Sequence, residues 1–595
     1  MDLKRLPPLT RFLIWRRKHI SDQQFTNFLA TIIGILTGFA AVFLKWVVHY
    51  IQQLLTKGFS IEYENFQYII YPAIGIAIVV IIKKYVVKKP VGHGIPNVLY
   101  TISKQSGLMK FYHTYISFIT SALTVGFGGS VGLEGPTVST GAAIGSNIGR
   151  ISHLDHKRLI MLIACGSAGA MAAIFKAPIA AVIFAVEVLM LDLTLTALVP
   201  LLISSVTAAL VSYFFLGQQS VYKFLIHSEF KFDDIPYYII LGVICGILSL
   251  HFTRVYNKMD HWFTHLKQKN IWVKWIVGSI ILGLLIFLLP SLYGEGYEVI
   301  NASLRGNYDY LFDNTFFYAY KENAFAIIFM FLAIVLLKVV ATSSTFGAGG
   351  VGGIFAPSLF VGANAGLLFA QIANLFHIRH LENANFALVG MAGMIAGVIH
   401  APLTAIFLIA ELTRGYELFI PLMIVSTISY TTIKNFEKNS VYTRQLARKG
   451  HLFTHHKDQA ILKMLDLNKL IETNFQSVDK DATLRDLVKV ISESKRNLFP
   501  VVDKEGVLYG IVHLNNIRYI IFKPELYDVT KVQSLMYYPN HWVSPDDTVE
   551  EIVESFQKSG HFNLPVINEG KYIGFVSKAN ILSKYRKLLK HFSEH

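Results

Sequence analysis

The residue with the clearest chemical meaning in this sequence is a carboxylate set in an apolar stretch rich in glycine and proline. Glu134 lies in the cassette Gly-Leu-Glu-Gly-Pro at 132–136, and the segments on either side are apolar. An ionised carboxylate inside a lipid bilayer costs at least about 2.5 kcal/mol, so such residues are rare and mark paths for ions or protons. Glu134 is therefore predicted to take part in the movement of an ion.

The cassette occurs twice. The second copy, Gly-Ile-Phe-Ala-Pro at 353–357, lacks the carboxylate, but the residues after both copies keep the same spacing. Matching glycine- and proline-broken segments in two apolar halves are typical of transporters whose site lies at the repeat interface. Glu187 and Glu411 are predicted to be structural carboxylates at helix ends. The pairs in register are Gly141 with Gly362, Gly145 with Gly366, Gly166 with Gly390, Gly169 with Gly393, Pro178 with Pro402, and Glu187 with Glu411.

The composition is that of a polytopic membrane protein. Of 595 residues 53% are hydrophobic and only 16% are charged, and the mean hydropathy is +0.46. Residues 1–24 form a basic arm without a cleavage signal, and the stretch after the last apolar segment is also basic, so both termini are predicted to be cytoplasmic. The net charge of +15 is attributed to these flanks and not to a nucleic-acid surface. Two cysteines in apolar segments imply no disulfide framework.

A change of composition near residue 460 predicts a second domain at 465–595, after a linker at 451–464. The domain is itself duplicated, with Val478–Leu484, Leu498–Asp503 and Gly510–Val512 echoed 64 to 65 residues later. Each copy reads as helix, strand, turn, strand and helix. The whole chain is thus predicted to be an all-α membrane domain at 25–450 followed by an α+β domain.

An enzyme is the competing class of function. Gly-Gly-Ser-Val-Gly at 128–132 matches a nucleophile elbow centred on Ser130. That motif requires a strand, turn and helix together with a histidine and an acid, whereas this copy lies between membrane segments. The chain is therefore predicted not to be an enzyme, and no metal site is predicted.

Four motifs in order resemble the CLC chloride channel and transporter family. They are Gly-His-Gly-Ile-Pro at 92–96, the two cassettes at 132–136 and 353–357, and Tyr442. The resemblance spans 25–450 and implies a homodimer whose subunits each contain a chloride path between inverted halves, about 25–216 and 235–450. Glu134 would be the gate, mimicking an anion when ionised. The implied anion site comprises His93, Gly94, Ile95, Ile354, Phe355, Ala356 and Tyr442.

Such a site is physically sensible. Several helix N-termini offer N–H donors and partial positive charge, without a formal cation that would hold chloride too tightly to release it. Two residues depart from the family's common pattern: His93 stands where serine is usual, and Leu133 where a basic residue is usual. An imidazole can donate an N–H, or can bind the anion electrostatically if protonated, so the preferred anion is left open.

A third departure bears on mechanism. Exchangers of the family usually carry a second carboxylate beside Glu187, where protons arrive from the cytosol, and this chain has Val188. A passive channel gated by Glu134 is therefore predicted. The alternative is a proton-coupled antiporter, with Asp192 one turn further along as a substitute proton carrier.

The C-terminal duplication resembles a tandem pair of CBS motifs. In that family a Ser/Thr and an Asp contact an adenine nucleotide, and the matching residues here are His513 and Asn516 in the first copy and Ser577 and Asn580 in the second. An amide replaces the carboxylate in both copies, which removes a charge-assisted hydrogen bond. Adenine nucleotide binding is one interpretation, and a structural packing module is the other.

Overall fold

The computed structural model describes most of the chain as two compact units, residues 1–452 and 453–595. Neither terminus is described completely, and the junction between the units lies outside the described part. The described residues are 15–16, 18–57, 66–88, 94–104, 107–190, 195–218, 230–266, 270–413, 415–448 and 465–593.

Helices form the first unit. Helix α1 begins at Asp22, inside the predicted N-terminal arm, because Ser21 and Gln24 make a capping box. The helices are α1 (Asp22–Thr56), α2 (Gln67–Ile81), α3 (Ile95–Lys104), α4 (His113–Gly126), α5 (Glu134–Ile151), α6 (His156–Phe175), α7 (Pro178–Glu187), α8 (Leu195–Leu216), α9 (Ile235–His265), α10 (Ile271–Leu288), α11 (Tyr297–Leu304), α12 (Ala324–Gly347), α13 (Phe355–Leu375), α14 (Asn383–Ile399), α15 (Pro402–Thr413), α16 (Phe419–Lys434) and α17 (Val441–Arg448).

Eight helical segments within the described residues are long and apolar enough to cross a membrane. Others are shorter than a bilayer requires, among them α7, α14, α15 and α16. Short helices at membrane depth must be enclosed by protein or line an aqueous path, because lipid cannot satisfy their free backbone groups. The first unit is thus an integral multi-pass membrane domain.

The two halves of this unit are built alike. Helices α7 and α15 both begin with proline, at Pro178 and Pro402, where the missing N–H costs no helical hydrogen bond. The helices before them both end at a residue in the left-handed conformation, Lys176 with φ 57° and His400 with φ 61°. The sequence repeat is therefore a repeat of backbone conformation.

Glycines set the closest helix packing in each half. A Cβ atom on Gly141 of α5 would lie 2.1 Å from the carbonyl oxygen of Gly166 on α6. In the other half, a Cβ on Gly362 of α13 would lie 2.4 Å from the carbonyl oxygen of Gly390 on α14. Small residues allow helix backbones in a membrane to touch, which is how apolar helices associate without a hydrophobic driving force.

The second unit is α+β and holds two three-stranded sheets. One has the order β1, β6, β5 with antiparallel pairs, and the other the order β2, β3, β4 with a parallel and an antiparallel pair. The elements are β1 (Ile471–Glu472), β2 (Val478–Asp479), α18 (Leu484–Glu493), β3 (Leu498–Val502), β4 (Leu508–His513), α19 (Leu514–Ile517), α20 (Val549–Ser559), β5 (Asn563–Asn568), β6 (Lys571–Ser577) and α21 (Lys578–Ser593).

The two copies in this unit start their long helices in the same way. Thr483 donates its backbone N–H and hydroxyl to Asp486 before α18, and Thr548 donates both groups to Glu551 before α20. These bonds lower the pKa of the Asp486 and Glu551 carboxyls below their ordinary values. The fold class expected from the sequence, an all-α membrane domain followed by an α+β domain, is confirmed.

Candidate functional site

The two repeats meet at the first glycine of their cassettes. Gly132 donates its N–H to the carbonyl of Gly353 over 2.9 Å, and Gly353 donates to the carbonyl of Gly132 over 2.7 Å. This antiparallel bridge sits immediately before α5 and α13, so the N-termini of both helices are brought to one place. The four N-terminal N–H groups of a helix have no partner within it, and they attract anions.

Reciprocal hydrogen bonds fix this junction. Thr124 at the end of α4 accepts the backbone N–H of Val351, and Thr345 at the end of α12 accepts that of Ser130. The Ser130 hydroxyl, the candidate nucleophile of the enzyme alternative, is buried and donates to the carbonyl of Leu292 over 2.7 Å. Ser130 thus stabilises the junction between the repeats.

Glu134 is completely buried at this junction, on the first turn of α5. Its Oε1 accepts the hydroxyl of Tyr297 over 2.5 Å. Its Oε2 fills the space above Gly132, where an added Cβ would lie only 2.0 Å from that oxygen. A Cβ on Gly353 would lie 3.6 Å from the same oxygen. The carboxylate therefore occupies the gap between the two cassettes.

Three further charged residues form an electrostatic network that includes Glu134, and the sequence analysis missed them. Glu295, in the loop before α11, accepts the backbone N–H of Leu133 over 3.0 Å. Lys45 on α1 interacts electrostatically with Glu295 and Glu134, and Lys338 on α12 interacts with Glu295. The two lysines could have been noticed in the sequence, because each interrupts a long apolar run. A charged residue at membrane depth is a candidate functional group.

Five of the predicted anion-site residues come together on one side of this junction. Ile95, Ile354 and Tyr442 line one narrow cavity of about 20 Å³. Phe355 and Ala356 are the first two residues of α13, so their N–H groups belong to its N-terminus. The cavity has room for about one water molecule.

Of the remaining predicted anion-site residues, only one can be placed. Gly94 precedes α3 with φ +60°, and an added Cβ would lie 2.9 Å from the carbonyl carbon of Gly135. A side chain at position 94 would therefore separate α3 from the gate cassette. His93 lies outside the described residues, so its predicted part in anion selectivity stays a prediction.

Tyr442 presents the one polar side chain among the predicted residues of this cavity. Its hydroxyl is buried and accepts or donates no hydrogen bond within the described part of the chain. Tyr256 of α9 and Phe346 of α12 line the cavity too, and both continue into a wider vestibule of about 420 Å³. Lys83, Lys274 and Asp260 also line that vestibule. The vestibule and the narrow cavity therefore share part of their lining.

The proton-route position contains an aliphatic side chain in a buried setting. Val188 follows the last residue of α7 and is 6% exposed. The adjacent Glu187 accepts the backbone N–H groups of Leu403 and Thr404 at the start of α15. The predicted substitute, Asp192, lies outside the described residues.

Glu411 makes the matching contacts in the other half. At the end of α15 it accepts the N–H groups of Ile179 and Ala180, over 3.1 and 2.8 Å, at the start of α7. Each short helix therefore ends in a carboxylate that caps the N-terminus of its counterpart in the other repeat. Both carboxylates are engaged as structural caps.

In the second unit, the residues considered for nucleotide binding already have internal partners in one copy. Ser577 donates to Glu472 over 2.9 Å, and the amide side chain of Asn580 donates to the carbonyl of Leu470 over 3.3 Å. In the first copy, His513 accepts the backbone N–H of Asn515. Asn516, which follows on α19, is exposed.

Fold and site together define a class of protein, a membrane transporter with its ion path at the interface between two repeats. The chain belongs to the voltage gated chloride channel family, which it matches over residues 74–434. Residues 467–523 and 532–587 each match the CBS domain. The resemblance drawn from the motifs, to the CLC family with a tandem CBS pair, is confirmed.

Relatives of this chain are named either as chloride channels or as exchangers of chloride and protons. A ClcB-like chloride channel protein of Ralstonia nicotianae is 30% identical over 364 residues, which cover 60% of this chain and 80% of the relative. The H(+)/Cl(-) exchange transporter ClcA of Vibrio cholerae is 27% identical over 435 residues, 71% of this chain and 89% of the relative. The X-ray crystal structure of a slow cyanobacterial Cl-/H+ antiporter has the same fold, with a TM-score of 0.62 and 23% identity over 71% of this chain and 97% of that chain.

These comparisons confirm that the function lies in chloride transport by this family. Transporters and channels among the relatives are also consistent with a protein that is not an enzyme. Between the two mechanisms weighed from the sequence, exchange fits the comparisons at least as well as the channel that the sequence favoured.

Proposed function

We propose that this protein is a chloride transporter that exchanges chloride for protons. Glu134 binds the proton, and its ionised carboxylate occupies the anion path. The observation that carries the proposal is the position of the carboxylate, which fills the gap over Gly132 where the N-termini of α5 and α13 converge. A carboxylate and a chloride ion cannot occupy that gap together. Protonation and anion occupancy are therefore linked.

The exchange cycle follows from charge. The ionised carboxylate of Glu134 is attracted by the N–H groups and partial positive charge of the two helix N-termini, as a chloride ion would be. Protonation from the side of Tyr442 removes that attraction, so the side chain leaves and chloride enters the gap from the opposite side. The proton is then lost to that opposite side, and the ionised carboxylate returns to the gap and displaces chloride towards Tyr442. Each step uses weak donors, which lets the anion leave again.

Protons need a route from the vestibule side, and Val188 does not supply one. We infer that they travel by water through the vestibule and past Tyr442, along the anion's own path. The described cavities are consistent with this route, because Tyr256 and Phe346 line both the vestibule and the narrow cavity, which has room for about one water. The exchange transporter of Vibrio cholerae and the cyanobacterial antiporter fold give further support.

A passive chloride channel is the second candidate, and one observation favours it. Val188 is buried and aliphatic at the position where a second carboxylate would receive protons, and an aliphatic side chain neither binds a proton nor orders the water that would. If protons cannot reach Glu134 from the vestibule, chloride runs down its own gradient.

The test is proton movement driven by a chloride gradient in liposomes that contain the purified full-length protein. For an exchanger, we expect chloride efflux to drive protons into the liposomes while the membrane potential is held constant. Glu134→Gln should keep chloride flux and lose the proton movement, because an amide is not protonated in this pH range. Glu298→Gln, an exposed carboxylate on α11, is the matched control and should behave as the parent. Chloride flux without proton movement in the parent would overturn exchange in favour of the channel.

The proposed assembly is a homodimer in a lipid bilayer, with both termini and the CBS unit in the cytosol. Basic residues flank the membrane segments at the N-terminal arm and beyond α16, and positive flanks stay on the cytoplasmic side. We infer that in this orientation the vestibule opens to the cytosol.

A further inference from the structure

Glu295 is one of the three charged residues near Glu134 that the transport cycle above leaves unused. It is partly buried in the loop between α10 and α11, and its Oε1 holds the backbone N–H of Leu133. Leu133 is the N-cap residue of α5, so this carboxylate is bound to the end of the helix that carries Glu134. The hydrogen bond keeps a second carboxyl group at a fixed place beside the gate.

Two lysines from other elements balance these carboxylates. Lys338 on α12 is completely buried, and its ammonium donates to the carbonyls of Leu292 and Gly294 in the loop that carries Glu295. Lys45 on α1 donates to the carbonyl of Ile174 over 2.5 Å. With all four side chains ionised, the group of Glu134, Glu295, Lys45 and Lys338 has no net formal charge.

Titratable groups on several elements face the cluster of Glu134, Glu295, Lys45 and Lys338. Glu295 interacts electrostatically with Glu134, Lys45 and Lys338. Lys45 also interacts with Lys176, which follows the last residue of α6, and Glu134 interacts with Tyr442. Tyr297 donates its hydroxyl to Glu134. Removing any one charge changes the balance felt by the gate.

We propose that Glu295 is a positioning residue for the gate, which sets the proton concentration at which Glu134 leaves the anion path. A negative charge beside Glu134 favours the protonated gate, and the two lysines favour the ionised gate. The position before Glu134 holds the uncharged Leu133, so the charges that tune the gate come from α1, α12 and the α10–α11 loop. The inference rests on the proposed role of Glu134.

The experiment is the pH dependence of chloride flux in liposomes, for the full-length parent and two variants of opposite expected sign. Glu295→Gln keeps an oxygen that can accept the Leu133 N–H but removes the charge, so Glu134 should stay ionised to lower pH. We expect the midpoint of flux activation to move down by about one pH unit, a tenfold higher proton concentration. Lys45→Gln removes a positive charge near both carboxylates and should move the midpoint upwards.

Controls separate this tuning from general damage and from the gate assignment. Glu298→Gln, the same chemical change on the exposed face of α11, should leave the midpoint at the parental value. Glu134→Gln combined with Glu295→Gln should be as independent of pH as Glu134→Gln alone. If Glu134→Gln itself kept the parental profile, the proposed gate would fail first, which distinguishes the two failures.

An unchanged midpoint in folded, active Glu295→Gln would overturn the inference. Should that variant not fold, Lys45→Gln decides, because an unchanged or lowered midpoint there contradicts the electrostatic balance. Opposite shifts in the two variants support it, since loss of packing alone gives no reason for midpoints to move in opposite directions.

Discussion

At the scale of single residues, the site requires the missing side chain of Gly132 as much as the carboxylate of Glu134. Gly132 leaves the space that the Glu134 carboxylate fills, and its backbone groups form the bridge to Gly353. Gly132 thus both accommodates the anion-like group and holds the two cassettes together.

Replacing Gly132 by alanine should displace the gate. The new Cβ would lie 2.0 Å from Glu134 Oε2, the end of a flexible side chain that can move away, and 2.8 Å from the Cβ of Ala356, which requires a small shift at the start of α13. We expect chloride flux at neutral pH to rise several-fold and its pH dependence to weaken, measured in liposomes. Gly135→Ala is the control, because a Cβ there meets Gly353 and not the carboxylate. Lower flux with the parental pH profile in Gly132→Ala would contradict the gate's position.

Tyr442 should contribute to anion affinity through its hydroxyl. That hydroxyl is buried in the narrow cavity without a partner among the described residues, so it can donate to an anion. Hydrogen bonds to charged groups contribute about 1.5–3 kcal/mol, so Tyr442→Phe should weaken chloride binding about tenfold or more. Calorimetric titration with chloride measures this. The exposed Tyr416→Phe should bind as the parent does, and equal affinity in both variants would place the anion elsewhere.

At the scale of elements, the helices that carry the site are positioned by backbone contacts and by caps. Helices α5 and α6, and α13 and α14, touch through paired glycines. The carboxylates of Glu187 and Glu411 tie the start of each short helix to the opposite repeat. The glycine contacts hold the helices within each half together, and the two carboxylate caps hold one half to the other.

Two glycines of α5 should differ sharply in their tolerance of alanine. A Cβ on Gly141 would lie 2.1 Å from the carbonyl oxygen of Gly166, and backbone cannot move aside cheaply. We expect Gly141→Ala to destabilise the unit by about 1–3 kcal/mol, as overpacking does. A Cβ on Gly149 would meet the end of the flexible Leu159 side chain at 2.6 Å, so Gly149→Ala should be nearly neutral. Thermal unfolding of the purified protein in detergent tests the pair, and equal melting temperatures would show that α5 and α6 can separate.

At the scale of the whole molecule, two different duplications share one chain. The membrane unit uses its repeat to bring two helix N-termini together, whereas the CBS unit uses its repeat to build two similar sheets. In the second unit, an ion pair joins Arg496, which precedes β3 of the first copy, to Glu472 on β1, which pairs with β6 of the second copy; the two side chains lie 2.7 Å apart.

That ion pair should oppose nucleotide binding. Glu472 accepts from both Ser577 and Arg496, and its negative charge beside Ser577 would repel a phosphate. We expect ATP at millimolar concentration to leave the melting temperature of the parent unchanged, and Glu472→Ala to gain measurable binding. Glu569→Ala, at a turn of the same unit, is the control for loss of charge. A clear shift with ATP in the parent would support the adenine nucleotide interpretation instead.

The sequence by itself determined the residues of the path and their grouping. The two cassettes at 132–136 and 353–357 have the same spacing because a helix must begin in the same backbone conformation in both halves. The residues needed for such a helix start are close together in the sequence, so the sequence alone shows them. Glu134 and Ile354 could be named for that reason, whereas Ile95 and Tyr442 were predicted from the resemblance to the CLC family. The fold class followed from apolar runs and from the change of composition near residue 460.

Only the tertiary structure decided which charges surround the gate. Lys45, Glu295 and Lys338 are far apart in sequence and belong to no repeated motif, so no local pattern associates them with Glu134. They meet because α1, α12 and the α10–α11 loop pack around the start of α5. Likewise, Val188 considered by itself favours a channel. The path by which protons could reach Glu134, however, depends on the cavities between the packed helices, which the sequence does not show.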